Sequence, residues 1–187
     1  EYRRQRQMCI RDRLMIAPTA AHGKRAESRA PYGYVEHEYD QLLAFMEQTN
    51  SAGVKNGTQL SSAYDPNDPE TWGGIFWYIA PTGFIHAEYI FFSAYDFPNR
   101  NLVGTLNLSG FSKLRAFGCA GNSITAVSIS DCPLLDELNV AQNLLTNFSV
   151  SNCAELRLVW CEENMLPSVS TVSYTHLRAH ETKANLV

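Results

Sequence analysis

The residues of this 187-residue sequence that could do chemistry are few, and many of them stand near its ends. His176 and His180 lie four residues apart with Glu181 following, a spacing that suits a metal pair on one face of a helix. The arginine run at 3–13 suits a nucleic-acid patch, and Cys9 is a possible reactive thiol. Whether these residues are candidate functional groups therefore depends on the interpretation of the two ends.

Both ends resemble translated sequencing adapter more than protein-coding sequence. Residues 3–13 read RRQRQMCIRDR, which matches the frame translation of a transposase-type library adapter. Residues 172–182 read VSYTHLRAHET, which matches the opposite-strand adapter. Two long matches, one at each end and in the correct orientation, are hard to obtain by chance. We therefore expect 1–13 and 172–187 to be read-through artefact and exclude them from fold reasoning.

The remaining chain, 14–171, carries no nucleophile elbow, phosphate loop, HExxH or dinucleotide fingerprint. Its histidines are His22, His37 and His86, of which His86 lies in a strand-like aromatic run where a structural role is expected. The acidic stretch at 65–70 would suit calcium, but acidic turn residues beside prolines are the ordinary alternative. The sequence predicts no enzyme, no cofactor and no metal site.

Composition limits the partners. The chain is 45% hydrophobic and 18% charged, enough for one domain with a core, and it has no apolar run that would span a membrane. Residues 14–171 hold 8 lysines and arginines against 16 aspartates and glutamates, a net charge of −8. This acidic balance argues against nucleic acid or an anionic membrane as partner.

A repeat of 21 residues organises the second half of the chain. Segments that start at Leu114, Leu135 and Leu156 share every apolar position when written in register. An asparagine series recurs at the same spacing, and a buried asparagine can bind backbone groups where the chain turns. The predicted asparagine ladder consists of Asn101, Asn122, Asn143 and Asn164.

The pattern L-x-x-L-x-[LVC]-x-x-N-x-[LI] resembles the leucine-rich repeat family over about 99–171. The resemblance implies an α/β leucine-rich repeat solenoid. Its parallel β-sheet would line the concave side, its returns would be mostly extended or loop, and a helix would cap its N-terminal end. The runs TLNLS, AVSIS and NFSVS alternate like short strands, which indicates little helix on the far side.

The first half predicts the cap, because the open end of stacked repeats must be covered. A helix is expected over 36–49, with Tyr39, Leu42, Leu43 and Met46 on its buried face. The order of motifs resembles the N-terminal cap of leucine-rich repeat ectodomains. The cap's usual cysteine pair is absent, which favours a bacterial relative. The expected division is a linker at 14–35, the cap at 36–98 and truncated repeats at 99–171.

Four cysteines remain in the central range. Cys119 and Cys161 occupy the core position that Val140 holds in the middle repeat, so they are expected to be small buried side chains. Cys132 and Cys153 stand at a matching corner of adjacent repeats, where they come within reach of a disulfide. A stacked, reduced pair is the favoured alternative.

Outward side chains of the repeat strands form the expected site. A tryptophan on an open sheet face can anchor a protein loop or a sugar, although it would also pack against a further repeat. We expect a non-catalytic binding module that recognises a protein or glycan on its concave face, in a secreted or surface protein of a bacterium. The candidate binding residues are Trp160, Leu158, Glu162, Glu137, Asn139, Phe97 and Tyr95.

Two alternatives stay open. The module would serve as the recognition arm of a larger enzyme if a catalytic domain follows, or as a structural spacer on a cell wall if its face binds nothing. The last repeat has no C-terminal cap, so its apolar end is expected to make the fragment self-associate.

The interpretation of the ends predicts the effect of trimming. Deleting 1–13 and 172–187 should leave the thermal unfolding midpoint unchanged or raise it, because adapter-derived sequence has no evolved contacts with the core. The comparison is made by circular dichroism on the trimmed and full chains. A clear drop in the midpoint after trimming would overturn the artefact interpretation.

Overall fold

The computed structural model describes residues 30–97 and 101–167, together with a two-residue strand at Arg178–Ala179. The N-terminal adapter-like end, the linker up to residue 29 and residues 168–171 of the predicted repeats lie outside the described residues. So does the C-terminal adapter-like end, apart from that strand. His22, His176, His180 and Cys9 therefore have no described environment.

Three short helical segments precede the repeats. They are α1 (Glu36–Met46), α2 (Asn56–Leu60) and a 3-10 turn (Pro69–Thr71). The sequence placed the first helix at 36–49, three residues too long. The chain leaves the helix after Met46 because the side chain of Asn50 accepts the backbone N–H groups of Ala52 and Val54, which builds a turn instead. No helix in the described part of the chain is both long enough and apolar enough to cross a bilayer.

The buried face of α1 differs from the predicted one at Leu43, Phe45 and Glu38, the last of which is buried at 1% exposure. Tyr39, Leu42 and Met46 are buried, as the helical spacing indicates. Phe45 is also buried, at 1% exposure, whereas Leu43 only packs against the edge of the core. Phe45 stacks on Phe92 with ring centroids 5.4 Å apart, and this contact turns the helix face toward the aromatic ring.

Nine strands form two sheets in the described residues. The first sheet has six strands in the order β1-β2-β4-β6-β8-β9, in which only the β1–β2 pair is antiparallel. The second has three parallel strands in the order β3-β5-β7. The bounds are β1 Ile75–Ile79, β2 Ile85–Phe91, β3 Val103–Ser109, β4 Ala116–Gly118, β5 Ser123–Ser130, β6 Glu137–Asn139, β7 Asn147–Ser151, β8 Leu158–Trp160 and β9 Arg178–Ala179.

The predicted leucine-rich repeat solenoid, with one parallel sheet and extended or loop returns, is wrong. The observed architecture is an α/β fold with two sheets, one mixed and one parallel, and few helices. The returns became β3, β5 and β7 because their alternating side chains bury one row in the core, Leu106, Leu108, Val127 and Ile129 among them. The first sheet is mixed because the hairpin β1–β2 joins it beside β4.

The 21-residue spacing nevertheless sets the register between repeats. Ala116 pairs with Glu137, which pairs with Leu158, and Ser130 pairs with Ser151. Two left-handed backbone positions also recur at this spacing. They are Gly110, Asp131 and Asn152, with φ from 54° to 76°, and Gly121, Gln142 and Glu163, with φ from 54° to 74°. Each repeat therefore turns twice at equivalent corners.

Three asparagines make equivalent hydrogen bonds between neighbouring repeats. The Asn122 Oδ1 atom accepts the Leu102 N–H at 3.0 Å, and its Nδ2 group donates to the carbonyl oxygens of Phe92 and Cys119. Asn143 and Asn164 do the same one and two repeats later. These bonds satisfy backbone groups at the turn that follows each short strand of the first sheet.

The edge of β3 is closed by side-chain amides. Gln48 Oε1 accepts the Thr105 N–H and its Nε2 donates to the Thr105 carbonyl, both at 2.7 Å. Gln41 makes the same pair of bonds with Ser109. A side-chain amide thus replaces the peptide of a missing neighbouring strand, which protects an edge that would otherwise pair with another chain.

Asn56 closes the same edge at its start, and sequence reasoning missed it. Its Oδ1 accepts the Val103 N–H at 3.1 Å, and its Nδ2 donates to the carbonyls of Val103 and Phe45, each at 3.0 Å. It is fully buried. The 21-residue spacing predicts Asn101 as a member of the ladder, but Asn101 is exposed, and its backbone N–H donates to Gln59 Oε1.

Substituting these two asparagines should separate their roles. Asn56→Ala should lower the free energy of unfolding by about 3 kcal/mol, because it leaves buried backbone groups without partners. Asn101→Ala should change it by less than about 0.5 kcal/mol, as exposed substitutions do. Urea unfolding followed by circular dichroism measures both. Equal effects would contradict the assignment of Asn56 to the edge of β3.

Candidate functional site

The candidate site is the outer face of the six-stranded sheet. Phe117 and Leu138, in the middle of β4 and β6, are buried in the core, so their neighbours point the other way. Strand register places these neighbours in two rows that cross four strands. The first row is Tyr89, Ala116, Glu137 and Leu158, and the second is Phe91, Gly118, Asn139 and Trp160.

Aromatic rings form one end of this outer face. Phe91 meets Phe76 edge to face with ring centroids 6.0 Å apart, and Tyr89 stacks on Phe91 at 6.1 Å. All three side chains are partly exposed. Trp160 and Leu158 stand at the other end of the two rows and are also partly exposed. A ligand on this face would therefore meet apolar rings on both sides.

The middle of the outer face is a shallow floor. Ala116 and Gly118 carry little or no side chain, and a Cβ atom on Gly118 would have its nearest contact at 3.7 Å, with Phe91 Cδ1. Phe91 and Trp160 are separated by three strand spacings, about 14 Å at about 4.8 Å for each spacing. An extended peptide of about four residues spans this distance, at about 3.3 Å for each residue.

Polar groups stand beside the floor. Glu137 is exposed, and Asn139 accepts the Ala141 N–H through Oδ1 at 3.2 Å, which leaves its Nδ2 group pointing away from that bond. Glu162 follows Trp160 by two residues. Its Oε2 atom is shielded from solvent and has no hydrogen-bond partner among the described residues. Hydrogen bonds from these groups would fix the orientation of a bound ligand.

Ion pairs fix the starts of the strands beneath this face. Arg157 meets Asp136 with two contacts of 2.6 Å, and Arg115 meets Glu88 at 3.4 Å. The guanidinium of Arg157 holds the pKa of the Asp136 carboxyl below its ordinary value. Both arginines are therefore engaged with carboxylates. Among the residues whose side chains the structure describes, Glu137 and Glu162 bring negative charge to this face or its end.

Two residues predicted for this face lie elsewhere. The prediction carried the 21-residue spacing back from β4 and selected Tyr95 and Phe97. In the structure β2 pairs with β4 at Tyr89–Ala116, 27 residues apart, so Tyr89 and Phe91 take those places. The aromatic run from 83 to 92 indicated this strand in the sequence, but the run does not show which of its residues pair with β4.

Tyr95 and Phe97 have different environments in the segment after β2. Tyr95 is 76% exposed, and its hydroxyl donates to Gln142 Oε1 at 2.9 Å. Phe97 is partly buried and packs against the core, near Gly74. Neither side chain lies in the two rows. Trp160, Leu158, Glu137 and Asn139 do lie in them, and Glu162 follows at their end.

The other candidates for chemistry have structural contacts. His86 Nδ1 lies 2.9 Å from Glu38 Oε1, and Glu38 Oε2 accepts the Ala87 N–H at 2.8 Å, which ties α1 to β2. His37 Nε2 lies 3.0 Å from the Gly110 carbonyl oxygen. Among residues 30–97 and 101–167, no three histidines, cysteines or acids lie together as a group that could hold a metal ion.

The acidic stretch at 65–70 forms a turn. Asp65 Oδ1 accepts the Asn67 N–H at 2.8 Å, and Asp68 Oδ1 accepts the Glu70 N–H at 3.1 Å at the start of the 3-10 segment. These carboxylates bind the local backbone, as acids in turns commonly do.

Comparisons of the chain with protein-family models, with curated proteins and with solved structures find no match.

The different environments of Tyr95 and Phe97 predict that substituting them lowers the free energy of unfolding by different amounts. Phe97→Ala should lower the free energy of unfolding by about 2 kcal/mol, because it removes a ring that is packed against the core. Tyr95→Ala should lower it by less than about 0.5 kcal/mol, since that ring is mostly in water. Thermal and urea unfolding of both variants make the comparison. A tolerated Phe97→Ala substitution would contradict the packing described here.

Proposed function

We propose that this chain is a non-catalytic binding module that holds a protein or glycan on the outer face of its six-stranded sheet. The observation that carries the proposal is the pair of registered rows, with aromatic rings at both ends and Ala116 and Gly118 between them. A sheet face with partly exposed rings and a flat floor has the features of a contact surface.

Two physical features support this role. The backbone beneath the face is held by parallel strand pairing and by the asparagine bonds, so a ligand would meet side chains that are already in place. Trp160, Tyr89 and Phe91 supply large contact areas with few rotatable bonds, which keeps the entropic cost of binding low.

The relation to leucine-rich repeats belongs to the same proposal. It rests on the sequence pattern of 99–171, and it supports a location at the surface of a bacterium or outside it. The negative charge of the central range, −8 over residues 14–171, fits a partner that is neither nucleic acid nor an anionic membrane.

Binding to defined probes tests the proposal. The chain is presented to an array of purified oligosaccharides and to a library of synthetic peptides, and the affinity of any positive probe is measured by calorimetry. Trp160→Ala should weaken binding at least tenfold, because it removes the largest ring at one end of the face. Gly118→Leu should weaken it by blocking the floor.

A control on the other sheet separates the site from general damage. Ser149→Ala changes an exposed side chain of β7 whose hydroxyl donates to Ser128 Oγ, and it should leave the affinity unchanged. Equal affinities for Trp160→Ala, Gly118→Leu and the unaltered chain would place the ligand elsewhere and contradict the proposal.

A further inference from the structure

The corner at which two neighbouring repeats leave the second sheet contains a pair of cysteines. Ser130 of β5 pairs with Ser151 of β7, and Cys132 and Cys153 each follow two residues later. The intervening residues Asp131 and Asn152 have φ of 55° and 54°, so the two corners share one backbone shape. The two cysteines therefore stand side by side on adjacent strand ends.

Their side chains also share one orientation. Cys132 Sγ donates to the Ser130 carbonyl and Cys153 Sγ donates to the Ser151 carbonyl, each at 3.3 Å. Both side chains are buried, at 0% and 1% exposure. Neighbouring strands are about 4.8 Å apart, which lies inside the range of about 4.4–6.8 Å between Cα atoms that a disulfide needs.

The two sulfurs influence each other's ionisation. The Cys132 thiol beside Cys153 lowers the pKa of the Cys153 thiol to about 7, because it stabilises a thiolate there, and the same neighbour raises the pKa of Cys132. Cys153 is therefore the more acidic thiol of the pair.

We propose that Cys132 and Cys153 are an oxidation site at which a peroxide converts the reduced pair into a disulfide that links two successive repeats. A buried pair selects a small oxidant, and hydrogen peroxide is close to water in size. The proposal is independent of the ligand on the outer face.

The chemistry balances in two steps. The thiolate of Cys153 attacks one oxygen of hydrogen peroxide, so that an S–O bond forms, the O–O bond breaks and hydroxide leaves. The sulfur of Cys132 then attacks the sulfenic sulfur; the S–S bond forms, the S–O bond breaks, and the oxygen leaves with the thiol proton as water. The cysteines lose two electrons and the peroxide gains two.

The other two described cysteines provide an internal control. Cys119 and Cys161 follow β4 and β8, which are separated by β6, so about 9.6 Å lies between their strands. That distance exceeds the reach of a disulfide. Cys119 is also buried in an apolar site that raises the pKa of its thiol. Burial alone therefore does not make a cysteine of this chain reactive.

A peptide map of the full, unaltered chain tests the proposal, so the result does not depend on whether a variant folds. The chain is treated with hydrogen peroxide at pH 7.5 (about 2 equivalents), remaining thiols are blocked with iodoacetamide, and the digest is read by mass spectrometry. The expected product is one internal Cys132–Cys153 disulfide, with Cys119 still blocked as a free thiol.

Two further readouts sharpen the result. The oxidation rate should fall about tenfold between pH 7.5 and pH 6, because the thiolate of Cys153 becomes protonated, and the oxidised chain should unfold at a higher temperature than the reduced chain. Cys119→Ser should leave the disulfide in place and Cys132→Ser should abolish it. A stable sulfenic acid on Cys153, a disulfide that joins Cys132 or Cys153 to another chain, or free Cys132 and Cys153 after treatment would each overturn the proposal.

Discussion

The fold depends on finding partners for backbone N–H and C=O groups where strands end or have no neighbour. A buried peptide group without a partner costs about 1–3 kcal/mol, and each repeat leaves several such groups at its turn. Asn122, Asn143 and Asn164 supply those partners from one repeat to the next. Asn56, Gln48 and Gln41 supply them where the repeats begin, along the free edge of β3.

The need to bind the backbone groups of β3 explains why the N-terminal helical segment packs against that strand. Gln41 lies on α1 and Gln48 follows the end of that helix by two residues, so this one segment reaches β3 at both Thr105 and Ser109. A Cβ atom at Gly104 would collide with Gln48 Oε1, and the φ of +88° at this glycine is left-handed. The helix therefore approaches the strand closely only because position 104 has no side chain. In the first sheet, whose outer face carries the proposed site, the turns after the short strands are held instead by Asn122, Asn143 and Asn164.

The sequence predicted the arrangement within the repeats well. It failed where a segment outside the repeats contacts them, and each failure has a physical reason. The 21-residue period predicted that Asn122, Asn143 and Asn164 bind backbone groups at a turn, because stacked repeats place equivalent residues side by side. It failed at Asn101, Tyr95 and Phe97, since the segment before the repeats has its own spacing to β4. The period also did not predict that the returning runs form a second sheet. Their alternation was visible in the sequence, but their pairing depends on contacts between repeats. Asn56 could not be found by pattern, because it reaches β3 from a separate helix 47 residues away in sequence.

Hydrogen exchange at single backbone amides tests the central claim most directly. Within residues 30–97 and 101–167, the amides of Thr105 and Ser109 are bound by the side chains of Gln48 and Gln41 and by no strand on the α1 side. In the full chain they should be protected as strongly as the strand amides of β5, and Gln48→Ala should remove the protection at Thr105 while leaving it at Ser109. Exchange of both amides at the rate of an open strand edge would show that the glutamines do not close β3, and would contradict the account.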